Sequence, residues 1–263
     1  MKFSEIPKQK WLVWISLGTL GLGILTVLIT VVAPLGYRLN LWGYRTGFTI
    51  LRTMVPVWLY IAGIAAVITA VIGFLAKKWQ MENMTRLVEL GAAGVLISLS
   101  AWYMPQTYLE PDGDPYPSIH DISTDTVNPP EFVAVLPLRA DADNGVEYGV
   151  SRDMNPRLLV ELTKKAYPDL LEPVVLDVSP DTAFDRAMNA VNELGWDVVD
   201  ANRAAGRIEA TESTFWFGFD DDIVIRLTPT SSGIKLDARS VSRVGKGDVG
   251  INAKRLRAFF DTL

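Results

Sequence analysis

The 263-residue chain is 49% hydrophobic and 21% charged, with one histidine and no cysteine. Its charge is divided unevenly, since residues 1–104 have a net charge of +6 and residues 105–263 a net charge of −11. Without cysteine the chain forms no disulfide, thiolate nucleophile or cysteine-ligated metal site. An acidic C-terminal part argues against nucleic-acid binding, which needs a clustered basic surface. We therefore expect no cofactor and no nucleic-acid partner.

Three apolar stretches near the N-terminus have lengths suited to crossing a membrane. They cover residues 11–35, 55–76 and 87–104, and about 20 apolar helical residues span roughly 30 Å of hydrocarbon. A cleaved signal peptide is the alternative for the first stretch. Signal cores contain only about 7–15 apolar residues and usually end at a small-residue cleavage site, which this stretch lacks. We therefore predict an uncleaved span.

The third stretch is the shortest and contains Glu89 near its start, so a buried or interfacial helix is the alternative there. It ends in the aromatic pair Trp102–Tyr103, which is typical of a membrane interface. Its small residues, which permit close packing against neighbouring helices, are Gly91, Ala92, Gly94 and Ser98. We predict three spans in total.

Positive charges in the short loops indicate the orientation of these spans. Six lie in the N-terminal segment and the second loop: Lys2, Lys8, Lys10, Lys77, Lys78 and Arg86. Three lie in the first loop: Arg38, Arg45 and Arg52. Lys and Arg are enriched in cytoplasmic loops. The sequence thus predicts a multi-pass protein of the bacterial inner membrane, with a cytoplasmic N-terminus and a periplasmic C-terminal domain.

Residues 105–131 are rich in proline, aspartate, serine and threonine, a composition typical of a hydrated, extended linker. The apolar run Phe132–Leu138 predicts a short strand. Residues 156–166 have helical spacing, and Tyr167-Pro168 ends that helix. We place the linker at 105–131 and an exported domain at 132–263.

Strand and helix signals then follow one another to the end of the chain. Ser179 caps a predicted helix that starts with Pro180, and Gly195 stands where a C-terminal cap belongs. A last helix is predicted from about Val249. The predicted strands cover residues 174–178, 196–200, 207–212, 214–219, 223–228 and 234–242, with an acidic turn at 220–222.

Alternation along the last two predicted strands separates their two faces. One row faces the helices: Ile223, Ile225, Leu227, Ile234, Leu236 and Ala238. The opposite row is polar: Arg226, Lys235, Asp237 and Arg239. This order, with short connections, predicts an α+β domain in which helices cover one face of an antiparallel sheet. A helix-grip-like arrangement is one candidate.

The segment Arg239–Arg255 contains a specific pattern, S-x-S-R-x-G-x-x-D-x-G-x-N-x-x-R. Its fixed positions are Ser240, Ser242, Arg243, Gly245, Asp248, Gly250, Asn252 and Arg255. Further matching stretches are residues 166–169, 195–196, 206–210 and 217–225, with 119–122, 124–125 and 129–130 upstream. With these features the chain resembles the bacterial family called domain of unknown function 1499, in its membrane-anchored branch. The resemblance implies no known activity or cofactor.

His120, Asp121 and Asp125 bring an imidazole and carboxylates together in sequence. In one interpretation an aspartate orients His120 as a general base, or these aspartates bind a divalent ion together with Asp112 and Asp114. In the alternative, the aspartates form Asx turns and His120 anchors the linker to the domain. Neither EF-hand spacing nor a nucleophile motif accompanies them, which favours the alternative.

Arg243 and Lys246 lie in a glycine-rich turn before the last helix. With Arg239 and Asn252 they make a candidate site, because backbone N–H groups at a helix N-terminus bind phosphate or lipid head groups. The alternative is a tight turn in which Asp248 caps the helix, since a carboxylate repels anions and accepts the same N–H groups. We favour the tight turn and expect Arg243 and Lys246 to be solvated.

The aromatic run Phe215–Phe219 contains the last candidate. A period of two places Phe215, Phe217 and Phe219 on the core side of a strand and Trp216 on the other side. An exposed Trp216 would contact a membrane interface or a partner. A partly buried surface tryptophan is the alternative, which we favour.

Together these features predict a non-catalytic exported domain that binds a protein partner or lipid. One alternative is an accessory subunit of a larger membrane complex, with the spans as the interface. Another is a membrane-bound hydrolase or metal-dependent enzyme that uses His120 and the nearby carboxylates. The lack of a recognisable catalytic constellation in the sequence favours the binding hypothesis.

Overall fold

The computed structural model describes residues 8–82, 84–104, 117–151 and 154–263. Two compact units make up the chain, Met1–Leu109 and Glu110–Leu263. Residues 105–116 of the predicted linker, which include Asp112 and Asp114, lie outside the described residues, as does Lys2.

The described part of the first unit contains three long helices. They are α1 (Lys8–Arg38), α2 (Tyr44–Lys78) and α3 (Met84–Tyr103). Each is long and apolar enough to cross a membrane, with mean hydropathies of 2.3, 2.4 and 1.4 over their most apolar windows. The three predicted apolar helices are confirmed, and α3 with 20 residues has the length that a span needs.

Glycines let these three helices approach one another closely. A Cβ atom added to Gly94 of α3 would lie 2.3 Å from the carbonyl oxygen of Thr19 in α1. A Cβ atom on Gly91 would lie 2.3 Å from Oγ1 of Thr69 in α2. The small residues of α3 therefore lie at helix contacts, as their pattern predicts.

The second unit has an α+β fold built on one open antiparallel sheet. Its strands are β1 (Asp121–Ser123), β2 (Val174–Leu176), β3 (Asp197–Asn202), β4 (Arg207–Ser213), β5 (Asp220–Thr230) and β6 (Gly233–Ser242). The strand order is β1-β6-β5-β4-β3, and β2 pairs with the start of β6. The helices are α4 (Pro156–Ala166), α5 (Pro180–Glu193) and α6 (Ile251–Thr262), with short 3-10 helices at Leu136–Arg139 and Pro168–Leu171.

Local signals fix the ends of α5 as predicted. The Ser179 side chain accepts the N–H of Thr182, and Pro180 occupies the first helical position. Gly195 has a φ of +72° just after the helix, a conformation that costs glycine little. These residues determine where α5 begins and ends on the sheet.

The core lies between the sheet and its helices. The predicted apolar row of β5 and β6 packs there with residues of α5 and α6, among them Phe184, Ala187, Val191, Leu256 and Phe259. The opposite face is not left to solvent. Phe132 and Val135 form a second apolar cluster on it with Val224 and Val241. The chain after β1 therefore covers the face opposite α5 and α6.

Three local predictions were wrong. Phe132–Leu138 forms no strand, because its residues cover the sheet and end in a 3-10 helix. Residues 214–219 form the turn between β4 and β5. The acidic residues 220–222 begin β5, where Asp221 and Asp222 are buried. Burial of these carboxylates depends on distant arginines, which no local pattern reveals.

The C-terminal end of the predicted linker belongs to the sheet. Asp121–Ser123 is strand β1, and it pairs antiparallel with Arg239–Val241 of β6. Ile119 and Ile122 are buried in the main core. The extended, hydrated interpretation is therefore wrong for this part, where alternating polar residues conceal a short paired strand.

Candidate functional site

The motif residues meet where β1, β6 and the start of α6 come together. Asn252 in α6 is fully buried and accepts a hydrogen bond from Ser240 Oγ at 2.6 Å. Its amide donates to Ser242 Oγ at 2.9 Å and to the carbonyl oxygen of His120 at 3.2 Å. Arg255 donates to both Ser240 Oγ and Asn252 Oδ1. These groups join α6 to β6 and to the residue before β1, and their hydrogen bonds are made within the domain.

Asp248 is buried beside the first turn of α6. Its Oδ1 accepts the N–H of Gly250 and its Oδ2 the N–H of Asn252, both at 2.9 Å. Burial raises the pKa of Asp248 to about 6, although these two hydrogen bonds act in the opposite direction. The N-cap position is Gly250, so the predicted capping position was wrong. The predicted effect on anions is unchanged, because the Asp248 carboxylate accepts the N–H groups at this helix N-terminus and repels anions.

Arg243 is half-buried and paired, contrary to the expectation that it is solvated. It donates to both carboxylate oxygens of Asp222 at 2.8 and 2.9 Å and to Asp220 at 3.0 Å. Arg139 contacts Asp222 as well. Burial alone would raise the pKa of Asp222, but hydrogen bonds from Arg243 and Thr211 lower it below its usual value. An anion near Arg243 would have to displace these aspartates.

Arg239 is the most enclosed of the three candidate cations, with 2% of its surface exposed. It donates to both carboxylate oxygens of Asp121, at 2.9 and 2.8 Å, and joins β6 to β1. Further hydrogen bonds reach the carbonyl oxygens of Pro130 and Val146. The guanidinium also lies over the rings of Phe132 and Tyr148. These contacts fasten the chain after β1 to the sheet.

His120 is not oriented by the aspartates beside it in sequence. Its Nδ1 lies 3.4 Å from the carbonyl oxygen of Lys246, and Asp121 pairs with Arg239. Asp125 accepts the N–H groups of Val127 and Asn128, which is an Asx turn. The geometry agrees with the anchoring interpretation. Among the described residues, no group of three or more His, Asp or Glu side chains is placed to hold a metal ion.

Asp125 has a second role beyond its turn. Its Oδ2 lies 3.2 Å from both Arg226 and Lys235, and these cations also pair with Asp237. Burial alone would raise the pKa of Asp125, but the Asn128 N–H and Lys235 lower it overall. The polar row predicted on β5 and β6 thus binds the segment after β1 to the sheet.

Trp216 and Lys246 lie at turns on the domain surface. Trp216 is half-buried, which agrees with the favoured alternative, although no strand carries it. Phe217 is buried and stacks on Phe219, whereas Phe215 is 67% exposed. The predicted core position of Phe215 was therefore wrong. Lys246 is exposed, as expected.

A family model described as a protein of unknown function (DUF1499) matches residues 121–263, from the first residue of β1 to the end of the chain. The chain belongs to the DUF1499 family. The DUF1499 domain includes all six strands, α4 to α6 and the polar contacts described above, whereas α1 to α3 precede it. No curated protein matches this chain.

Sequence reasoning missed several buried charges of the DUF1499 domain. The Glu209 carboxylate is fully buried and accepts the N–H groups of Val133, Ala134 and Val135. Two features of the sequence indicate that Glu209 contacts residues 132–138. Glu209 alternates with core residues on β4, and the apolar run 132–138 has to pack on some surface of the sheet. Asp221 pairs in the interior with Arg255 at 2.7 Å. The position of Asp221 in the acidic run 220–222 does not indicate that it is buried.

Proposed function

We propose that this DUF1499 protein is an inner-membrane protein with a cytoplasmic N-terminus and a periplasmic C-terminal domain. Helices α1 to α3 are candidate spans. The excess of Lys and Arg before α1 and between α2 and α3 supports this orientation. The strongly acidic domain follows the third span, after which no Lys or Arg occurs before Arg139.

The domain acts by binding a protein partner or lipid and not by catalysis. One observation supports this proposal: the charged and polar residues of the family pattern bind to other groups of the same domain. Arg243 and Arg255 face buried or half-buried carboxylates, and Asn252 and Asp248 hold the start of α6. Because these residues hold the fold together, we expect other residues on the domain surface to bind the partner or lipid.

Purification of the full chain in mild detergent tests the binding role. We expect a defined protein or lipid to co-purify with the parent protein and equally with His120→Ala. A stoichiometric membrane protein would identify an accessory subunit of a larger complex, and retained lipid would identify lipid binding.

The same His120→Ala variant distinguishes binding from catalysis. We expect it to restore the phenotype of a deletion strain, because His120 contacts the rest of the domain chiefly through its backbone. Loss of rescue at unchanged abundance and thermal midpoint would contradict the binding role and favour a hydrolase or metal-dependent enzyme.

A further inference from the structure

The turn between β4 and β5, residues 214–219, presents aromatic side chains at one end of the DUF1499 domain. Phe215 is 67% exposed and Trp216 is half-buried beside it. Among the large hydrophobic residues that are exposed in the described part of 117–263, Phe215 is the one aromatic residue, and the others are Val or Leu. We call residues 214–219 the aromatic turn.

Hydrogen bonds and stacking hold the aromatic turn in one conformation. The N–H of Thr214 donates to the carbonyl oxygen of Phe219, and the N–H of Gly218 to that of Thr214, both at 2.8 Å. Thr214 Oγ1 accepts the N–H of Phe219 at 2.9 Å. The rings of Phe217 and Phe219 stack with centroids 5.0 Å apart. A turn closed in this way loses little further backbone entropy when Phe215 binds.

The size of the aromatic turn limits what it can bind. A stable protein interface buries about 800 Å² on each partner, whereas one aromatic side chain buries about 150–250 Å². The turn alone is too small for a protein dimer. A bilayer to which the domain is already attached is a different case, because covalent attachment supplies a high effective concentration and the binding contact can be small.

We propose that the aromatic turn inserts Phe215, with Trp216 beside it, into the polar–apolar interface of the bilayer that carries α1 to α3. Aromatic rings accumulate at this depth of a membrane, where one side is apolar and the other hydrated. Residues 105–263 have a net charge of −11, so attraction to anionic head groups does not drive the contact. The inference rests on the proposed membrane anchoring but not on its orientation, since a bilayer has an interface on either side.

Spin labelling of the full chain tests this contact, and the cysteine-free sequence permits a single label. The Phe215→Cys variant carries a nitroxide spin label in the aromatic turn. Val127→Cys, at a side chain that is 94% exposed elsewhere in the same domain, is the matched control. Each protein is reconstituted in vesicles of phosphatidylethanolamine and phosphatidylglycerol. The collision rates of the label with oxygen and with a water-soluble nickel chelate are then compared.

We expect the label at position 215 to collide more with oxygen and several-fold less with the nickel chelate than the label at position 127. The difference should persist at 0.1 and about 0.5 M salt, because screening removes only electrostatic contacts. Equal access to the nickel chelate at both positions would overturn the proposal. So would shielding from both reagents, which indicates a protein contact, or loss of the difference at high salt. Protein that fails to float with the vesicles would instead contradict the anchoring.

Discussion

At the scale of single residues, the DUF1499 domain contains charges that are buried in pairs. Removing a charge from water is costly unless an opposite charge and further hydrogen bonds replace the lost hydration. Arg239 with Asp121 and Arg255 with Asp221 meet this condition in the interior. Such pairs are sensitive to the loss of either partner, which leaves the other charge buried alone.

Arg239→Lys should destabilise the domain by about 1.5–3 kcal/mol, because an ammonium group keeps the charge but cannot replace the two-pronged contact with Asp121. The matched control is Arg257→Lys. Arg257 makes the same kind of contact with Asp169, but these side chains are 33% and 52% exposed. That substitution should cost less than about 1 kcal/mol. Thermal midpoints in detergent compare the two, and equal losses would contradict the structural role of Arg239.

The raised pKa of Asp248 predicts that the stability of the domain depends on pH near neutrality. Its folded-state pKa of about 6 exceeds the ordinary value of 3.8, so protonation favours the folded state. Its contribution to stability should rise by about 1 kcal/mol as the pH falls from 7.5 to 5, and be lost as the pH rises through 6. Lowered pKa values at Asp125 and Asp222 act oppositely, but below this window.

Comparison with Asp248→Asn isolates this titration. Asp221, whose pKa burial also raises, remains in both proteins, and its charge helps to raise the pKa of Asp248. The thermal midpoint of the parent should rise relative to that of the variant between pH 7.5 and 5. Parallel pH profiles would show that Asp248 does not titrate in this range.

At the scale of elements, the sequence predicted what short-range rules determine. Ser179, Pro180 and Gly195 fixed the ends of α5, and alternation in β5 and β6 identified the core face. Strand β1 was missed because its partner lies more than a hundred residues away. The aromatic turn was mistaken for a strand for a related reason. Its residues have strand propensity, and only the pairing of β4 with β5 shows that they form the turn.

The site was predictable to a similar extent. The pattern located Arg239, Arg243, Asp248 and Asn252 in one region, and tertiary contacts then assigned each side chain its partner. A sequence shows that charges are present but not that a distant carboxylate neutralises them. For that reason Arg243 was expected in solvent and lies instead against Asp222.

The helices of the first unit provide a test of close packing. A Cβ atom at Gly23 would lie 2.5 Å from the carbonyl oxygen of Gly94, whereas one at Gly18 would have no atom within 4 Å. Gly23→Ala should therefore destabilise the helical unit by about 1–3 kcal/mol. Gly18→Ala, on the same helix, should be neutral or slightly stabilising because alanine favours helices. Helical circular dichroism on heating in detergent measures both, and equal midpoints would contradict the α1–α3 contact.

At the scale of the whole molecule, a basic apolar helical unit precedes an acidic folded domain. The helices supply candidate spans, and the charge of the loops assigns them a direction. The family pattern builds the interior of the domain, and in the proposed function recognition takes place at its surface. We propose that this domain is exported and that the N-terminus of the chain remains in the cytoplasm.

Reporter fusions in a bacterial host distinguish this orientation from the opposite one. A reporter that is active only outside the cytoplasm, fused after Leu263, should be active, and the same reporter fused after Lys78 should be silent at equal expression. The opposite pattern would place the domain in the cytoplasm and contradict the assigned topology.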